Sequence, residues 1–153
     1  MLSKKAKYGL QALIALAKGS RDNPILIQEL ARQEQMPRKF LEAILLDLKR
    51  HGILESKKGR GGGYKLAKPA HEIKLGQVVR ILSGPLAPIS CVSQTAYRKC
   101  HDCPNERNCG VRMVMKEVRD SIARVLDQRS IGDVLGGLEI LDQDKLASMV
   151  YQI

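Results

Sequence analysis

Tryptophan is absent from the 153 residues, and one Phe and four Tyr are the whole aromatic complement. Proteins that read unpaired nucleic acid stack bases on aromatic side chains, so this supply argues against a single-strand or RNA platform. Long apolar runs are missing as well. Nothing approaches the roughly 18 consecutive apolar residues needed to span a bilayer, so no membrane partner is expected and the expected location is cytoplasmic. The stretch Tyr8 to Ala17 has the look of a short leader, but Gly9 and Gln11 interrupt it and the same residues suit an amphipathic helix. Catalytic signatures are lacking too. His51, His71 and His101 fall in no hydrolase or nucleophile motif, and no paired carboxylates stand out, so an enzyme is not expected.

What the chain does have is positive charge, unevenly placed. The net charge is +10, with 15 Lys and Arg against 6 Asp and Glu in residues 1–70 and 11 against 10 in residues 71–153. A basic half joined to a nearly neutral half suits a polyanion-binding module carrying a second element with another task. With aromatics so scarce, duplex DNA is the expected polyanion.

The pattern along the basic half predicts three helices and a hairpin. Residues 3–18 repeat Tyr8, Leu10, Leu13, Ile14, Leu16 and Ala17 at helical spacing, with Ser3 as N-cap and Gly19 as stop. A polar turn over Ser20–Pro24 leads to a short helix at Ile27–Gln33. After the turn Gln35-Met36-Pro37, a third helix spans residues 37–50 and buries Phe40, Leu41, Ile44, Leu45 and Leu48. Two helices so tightly joined read as a helix-turn-helix. Ile53–Ser56 and Tyr64–Leu66 then read as two short strands around Lys57-Lys58-Gly59-Arg60-Gly61-Gly62-Gly63, a basic, glycine-rich wing. The loop lacks the Gly-Lys-Ser/Thr ending of a nucleotide cradle and leads into no helix.

The second half begins with a short helix at Leu75–Leu82. Beyond Cys109 a long helix is predicted over about residues 110–128, where Val111, Met115, Val118, Ile122 and Val125 step by alternating fours and threes. Such a seam needs a partner: either the wing module of the same chain or a second subunit, giving a homodimer. Ser130-Ile131-Gly132-Asp133 has capping-box spacing and starts a further short helix. The tail from Gly136 is weakly amphipathic around Leu138, Leu141, Leu146, Met149 and Val150. The fold class expected is mainly α with a small β-wing: a winged helix-turn-helix over 1–70, then a linker helix, cysteine loop and dimerisation helix over 71–135, and a tail over 136–153.

All four cysteines, Cys91, Cys100, Cys103 and Cys109, fall between those helices with the spacing C-x8-C-x2-C-x5-C. A loop too polar to order itself by burial is a natural place for a metal centre. Four thiolates suit tetrahedral zinc or an iron-sulfur cluster, and spacing leaves both open beside a reversible Cys100–Cys103 disulfide. His101 is a further donor, though a lone His in such a loop is more often a bystander.

Lys5-Ala6-Lys7-Tyr8-Gly9-Leu10, Phe40-Leu41-Glu42, Gly52-Ile53-Leu54, Gly59-Arg60-Gly61-Gly62-Gly63-Tyr64 and Leu75-Gly76-Gln77-Val78-Val79-Arg80 together resemble the bacterial winged-helix transcriptional regulators of the IscR, NsrR and CymR type, over residues 2 to about 135. The resemblance implies a homodimeric repressor or activator whose long helices cross between subunits. Its third helix would enter the major groove through Arg38, Lys39, Glu42 and Ala43, and its wing would touch the minor groove through Lys58, Gly59 and Arg60. Lys4, Lys5, Lys49 and Arg50 would contact phosphates, which set register without reading sequence. It also moves the balance toward a [2Fe-2S] or [4Fe-4S] cluster, with zinc the alternative. Where IscR has a histidine ligand three residues after its last cysteine, this chain has Arg112, which cannot ligate, so a fourth cysteine is the expected replacement. The rivals to a cluster-bearing regulator are a zinc or thiol sensor on the same scaffold, an electron-transfer protein docking through its basic half, and a regulator that senses through a partner enzyme.

Overall fold

The computed structural model describes residues 2–19 and 23–150, with side chains as far as residue 145. Helix α1 (Lys4–Lys18) starts at Ser3, whose hydroxyl accepts the Ala6 N–H at 3.1 Å and so satisfies one of the free donors of the first turn. Its buried stripe of Ala6, Gly9, Ala12, Leu13 and Leu16 faces the centre of the molecule. Helix α2 (Ile27–Gln33) has the predicted limits, and the chain then turns through Gln35, a non-glycine residue at φ 52°. Helix α3 (Arg38–Arg50) begins one residue later than expected, because Pro37 is extended and serves as the N-cap. Leu41, Ile44, Leu45 and Leu48 are buried as predicted, while Phe40 is only half-buried, edge-on to Tyr8.

Strands β1 (Leu54–Lys57) and β2 (Gly63–Leu66) pair antiparallel, with Leu54 opposite Leu66 and Lys57 opposite Gly63. A third partner escaped the sequence reading. Ile25 exchanges both backbone hydrogen bonds with Tyr64, each at 2.9 Å, and so ties the approach to α2 onto the wing. One bridging residue gives no alternating pattern, which is why periodicity could not find it.

The remaining helices are α4 (Leu75–Ser83), α5 (Gly110–Gln128) and α6 (Ile131–Val150). A single core holds the first part together with pieces of the second: Leu13, Leu30, Leu41, Ile44, Leu45 and Leu48 pack with Ile73, Val78 and Ile131. A boundary at residue 70 therefore divides the chain by order and not into separate cores. The junction of α5 and α6 is fastened to the start of α4, with Leu75 N–H donating to Arg129 O and Ile131 N–H to Ile73 O. The capping box forms: Ser130 Oγ accepts the Asp133 N–H, and Asp133 Oδ2 accepts both the N–H and the hydroxyl of Ser130.

Helix α6 then runs for 20 residues, not the short restart expected, and carries Gly136 and Gly137 in its interior. Each glycine costs a helix about 1 kcal/mol, which is why the pair reads as an end in the sequence. The turn residues Ser20, Arg21 and Asp22, and the side chains of Leu146, Met149 and Val150, lie outside the described residues. Among the described residues no helix is long and apolar enough to cross a membrane.

Helix α5 is docked on α4 by a two-point fork: Arg80 donates to both oxygens of Asp127, at 2.6 and 2.8 Å. Gly76 makes room for it, since a Cβ there would overlap Asp127 Oδ1. The hydrogen bonds from Arg80 hold the Asp127 carboxyl below its usual value of 3.8. A carboxyl depressed in the folded state stabilises it above the unfolded pKa, and that contribution fades as the pH falls through 3.8 toward the lower folded value. Both groups are half-exposed, so solvent screening limits the pair to about 1 kcal/mol. Thermal melts of Asp127→Asn should therefore lie about 3 °C below wild type at neutral pH. That gap should shrink in acid, and a gap unchanged by acid would show that the pair contributes nothing electrostatic.

Candidate DNA-reading face and cysteine centre

With Leu41, Ile44, Leu45 and Leu48 turned inward, helical geometry sends Arg38, Lys39, Glu42, Ala43, Leu46, Lys49 and Arg50 to the opposite, exposed face of α3. The base-facing candidates thus share one side of one helix. The phosphate candidates are more varied. Lys4 is exposed and lies over the Tyr8 ring, 5.7 Å from its centroid. Lys5 donates to Asp47 at 2.6 Å, bracing α1 on α3, and this bond holds the Asp47 carboxyl below its usual value. Lys49 donates to the Ser56 hydroxyl at 2.6 Å, which joins α3 to the wing. Arg50 lies 3.7 Å from Asp47.

Lys57, Lys58, Gly59 and Arg60 are all exposed at the wing tip. Behind the tip the wing is closely packed: Gly62 N–H donates to Gly59 O, and Gly63, at φ 140°, leaves no room for a side chain because a Cβ would overlap the Ile25 carbonyl. Gly63→Val should therefore pull the wing off Ile25 and lower DNA affinity about tenfold with the helices intact. Fluorescence anisotropy on a duplex at fixed salt would measure this, and wild-type affinity would mean that wing placement does not matter.

The seam read along α5 is split by the structure. No residue of α5 is buried. Met115, Ile122 and Leu126 are half-buried, whereas Val111, Val114, Val118 and Val125 are 64, 47, 37 and 55% exposed. Ile122 and Leu126 line an apolar cavity of about 210 Å³ with Leu2, Leu10, Val79 and Leu86. The chain's own body therefore takes up one edge of the stripe and leaves the valine edge uncovered.

The four cysteines come from three pieces of structure. Cys91 is buried in a 3-10 turn, Ser90–Val92. Cys100 and Cys103 are half-buried in the following loop, joined by the Cys103 N–H to Cys100 O bond at 3.5 Å. Cys109 is the N-cap of α5, and its sulfur accepts the Arg112 N–H at 3.4 Å. The thiols feel one another. Cys100 is raised above its usual pKa, first by its hydrogen bond to Cys91 and then by burial and the other thiols. Cys103 is raised by burial and by Cys109. Cys109 is lowered, chiefly by the Arg112 N–H, as expected for sulfur at a helix N-terminus. All four cysteines are free thiols in this structure.

Among the described residues no group of three or more His, Cys, Asp or Glu side chains stands close enough to hold a metal ion. The donor chemistry nonetheless fits a thiophilic centre, since the one loop that leads into α5 carries four soft sulfurs. His101 is fully exposed, 3.7 Å from Asp102. Tyr97 closes the loop from outside, its hydroxyl within 2.7 and 2.8 Å of the two Glu106 oxygens. Arg112 and Arg119, unremarked in the sequence except as a ligand that Arg112 is not, reach back to the Cys91 turn: Arg112 Nε donates to Cys91 O at 3.3 Å and Arg119 Nη1 to Val92 O at 2.6 Å.

The sequence model of the Rrf2 family, described as an iron-dependent transcriptional regulator, matches residues 2–137. The chain belongs to the Rrf2 family. An rrf2-like HTH-type transcriptional regulator of Rhodobacter capsulatus is 41% identical over 138 residues, covering 88% of this chain and 92% of that protein. The HTH-type transcriptional regulator CymR of Bacillus subtilis is 28% identical over 150 residues, 98% of each chain. In structure the chain is similar to CymR, the global cysteine regulator of B. subtilis, with a TM-score of 0.74 at 27% identity over 89% of this chain and 96% of that one. It is likewise similar to T. potens IscR, with a TM-score of 0.71 at 26% identity over 90% and 88%. This Rrf2-family protein is thus a DNA-binding transcriptional regulator with the expected winged-helix fold, and its relatives are named as regulators, not enzymes.

Proposed function

We propose that this Rrf2-family regulator acts in the cytoplasm as a homodimer whose four cysteines hold an iron-sulfur cluster that adjusts DNA binding. The observation that carries the reading is that Cys91, Cys100, Cys103 and Cys109 all lie in the loop that ends at the N-terminus of α5, the helix whose valine edge is left uncovered. Cysteine loop and dimer surface thus share one rod.

In this reading the exposed face of α3 enters the major groove. Arg38 and Lys39 supply donors to purine edges, Glu42 accepts from a cytosine amino group, and Ala43 leaves room for a base. Lys58, Gly59 and Arg60 follow the minor groove, while Lys4, Lys49 and Arg50 take phosphates. Lys5, already on Asp47, holds α1 and α3 in register beside them. The valine edge of α5 pairs with the same edge of a second copy and spaces two such reading heads along one duplex.

Cys91, Cys100, Cys103 and Cys109 are the ligand set, with Arg112 no competitor for the metal. When bound, the cluster supplies iron- and oxidation-sensitive bonds to sulfur. The chain's part is to translate loop closure into helix position: the thiolates draw residues 93–108 onto the start of α5, and the Arg80–Asp127 fork passes any shift of α5 to α4. A coupling of about 1–3 kcal/mol is enough to switch occupancy.

The test is anaerobic purification followed by a visible spectrum, with iron, sulfide and zinc assayed on the same sample. A brown protein with matched iron and sulfide supports the cluster. A colourless protein with one zinc per chain, even after reconstitution with iron and sulfide, overturns it.

A further inference from the structure

The Cys91 end of the loop is fastened by arginines of α5 acting on its backbone. The Arg112 side chain holds the Cys91 turn, its Nε donating to Cys91 O at 3.3 Å, while the backbone N–H of the same residue donates to Cys109 Sγ at 3.4 Å. Two turns along, Arg119 donates to Val92 O at 2.6 Å. Seven residues return a helix to nearly the same face, so the two guanidinium groups stand one above the other and take consecutive carbonyls. Cys91 and Val92 are each only 3% exposed, and the Arg119 side chain is 11% exposed. Carbonyls that deep need a donor, and a charged one binds more strongly than a neutral one. Cys100 and Cys103 are placed differently, half-buried in a loop whose outer fastening is the exposed Tyr97–Glu106 bond.

We propose that Arg112 and Arg119 are positioning residues that fix the Cys91 turn against α5, the helix that Cys109 caps, before any metal arrives, leaving Cys100 and Cys103 on the less firmly held part of the loop. The inference rests on the reading of the four cysteines as one centre. A loop with one end fixed in advance has less left to order when a metal binds.

The experiment uses the full-length, reduced, metal-free protein, briefly treated with iodoacetamide and digested so that mass spectrometry follows each cysteine separately. In wild type, Cys91 should react about tenfold or more slowly than Cys100. In Arg119→Met the gap should close to within about threefold with the Cys100 rate unchanged, and Arg119→Lys, which keeps a donor, should restore part of it. A variant that loses its thermal transition is replaced by Arg112→Gln and judged by the same rates. Equal reactivity of Cys91 and Cys100 in wild type, or an unchanged gap in the variant, overturns the proposal. No metal is present, so failure of the iron-sulfur reading leaves this result standing, and failure here leaves the colour assay untouched.

Discussion

Val118→Glu should turn the proposed dimer into a monomer and lower its affinity for a duplex carrying two half-sites by about 100-fold or more. Val118 sits at the middle of the valine edge and is 37% exposed in the single chain, so a glutamate there meets water in the monomer and should leave the fold intact. Across a paired edge the same glutamate is desolvated and faces its own copy, which costs several kcal/mol per buried charge. Two heads on one rod bind the second half-site as an intramolecular event, and that advantage of about 10²–10⁴ disappears when the rods part. Light scattering gives the mass, and anisotropy on whole and half duplexes gives the affinity. A variant that stays dimeric would place the subunit contact elsewhere, whereas a monomer with undiminished affinity would mean that one head suffices.

With the proposed iron-sulfur cluster in place, Cys103→Ala or Cys109→Ala should abolish the colour it gives the anaerobic protein and shift DNA affinity by about 5- to 150-fold, the span of a typical coupling energy. Cys109 is the more exacting position, because its sulfur also caps α5 on the Arg112 N–H. Cys109→Ser keeps a capping oxygen and therefore separates loss of the ligand from loss of the cap. The serine variant should be colourless yet keep the wild-type melting temperature of the metal-free protein. If both variants bind DNA as the loaded wild type does, the cysteine loop does not govern the reading heads.

Legibility followed the physics of each element. The helices α1, α2 and α3 and the long α5 were plain because each has an apolar stripe at helical period, and Ser3, Gly19 and Gly52 mark stops and caps that act locally. The wing was plain from glycines and lysines between short apolar runs. The length of α6 was not, since Gly136 and Gly137 argue locally against a helix that the chain nevertheless continues through. Split occupancy of the α5 seam was hidden for another reason. Val111, Met115, Val118, Ile122 and Val125 share a period but straddle an edge, and only the docking of α4 decides which of them turns inward.

The cysteine centre divides in the same way. Residue type and clustering named all four thiols as one set, because sulfur chemistry is written in composition and spacing. What holds the loop in place is a matter of distance: the reach of Arg112 and Arg119 to carbonyls more than twenty residues upstream, and the Arg80–Asp127 fork. By itself the sequence determined a basic reading head, a helical rod and a thiol-rich loop, since burial periodicity, caps and charge are local properties of the chain. Only the tertiary structure decided the uncovered valine edge, the Ile25 brace on the wing and the arginine clamp on Cys91, because a contact between distant residues depends on how helices pack and leaves no period in the sequence to read.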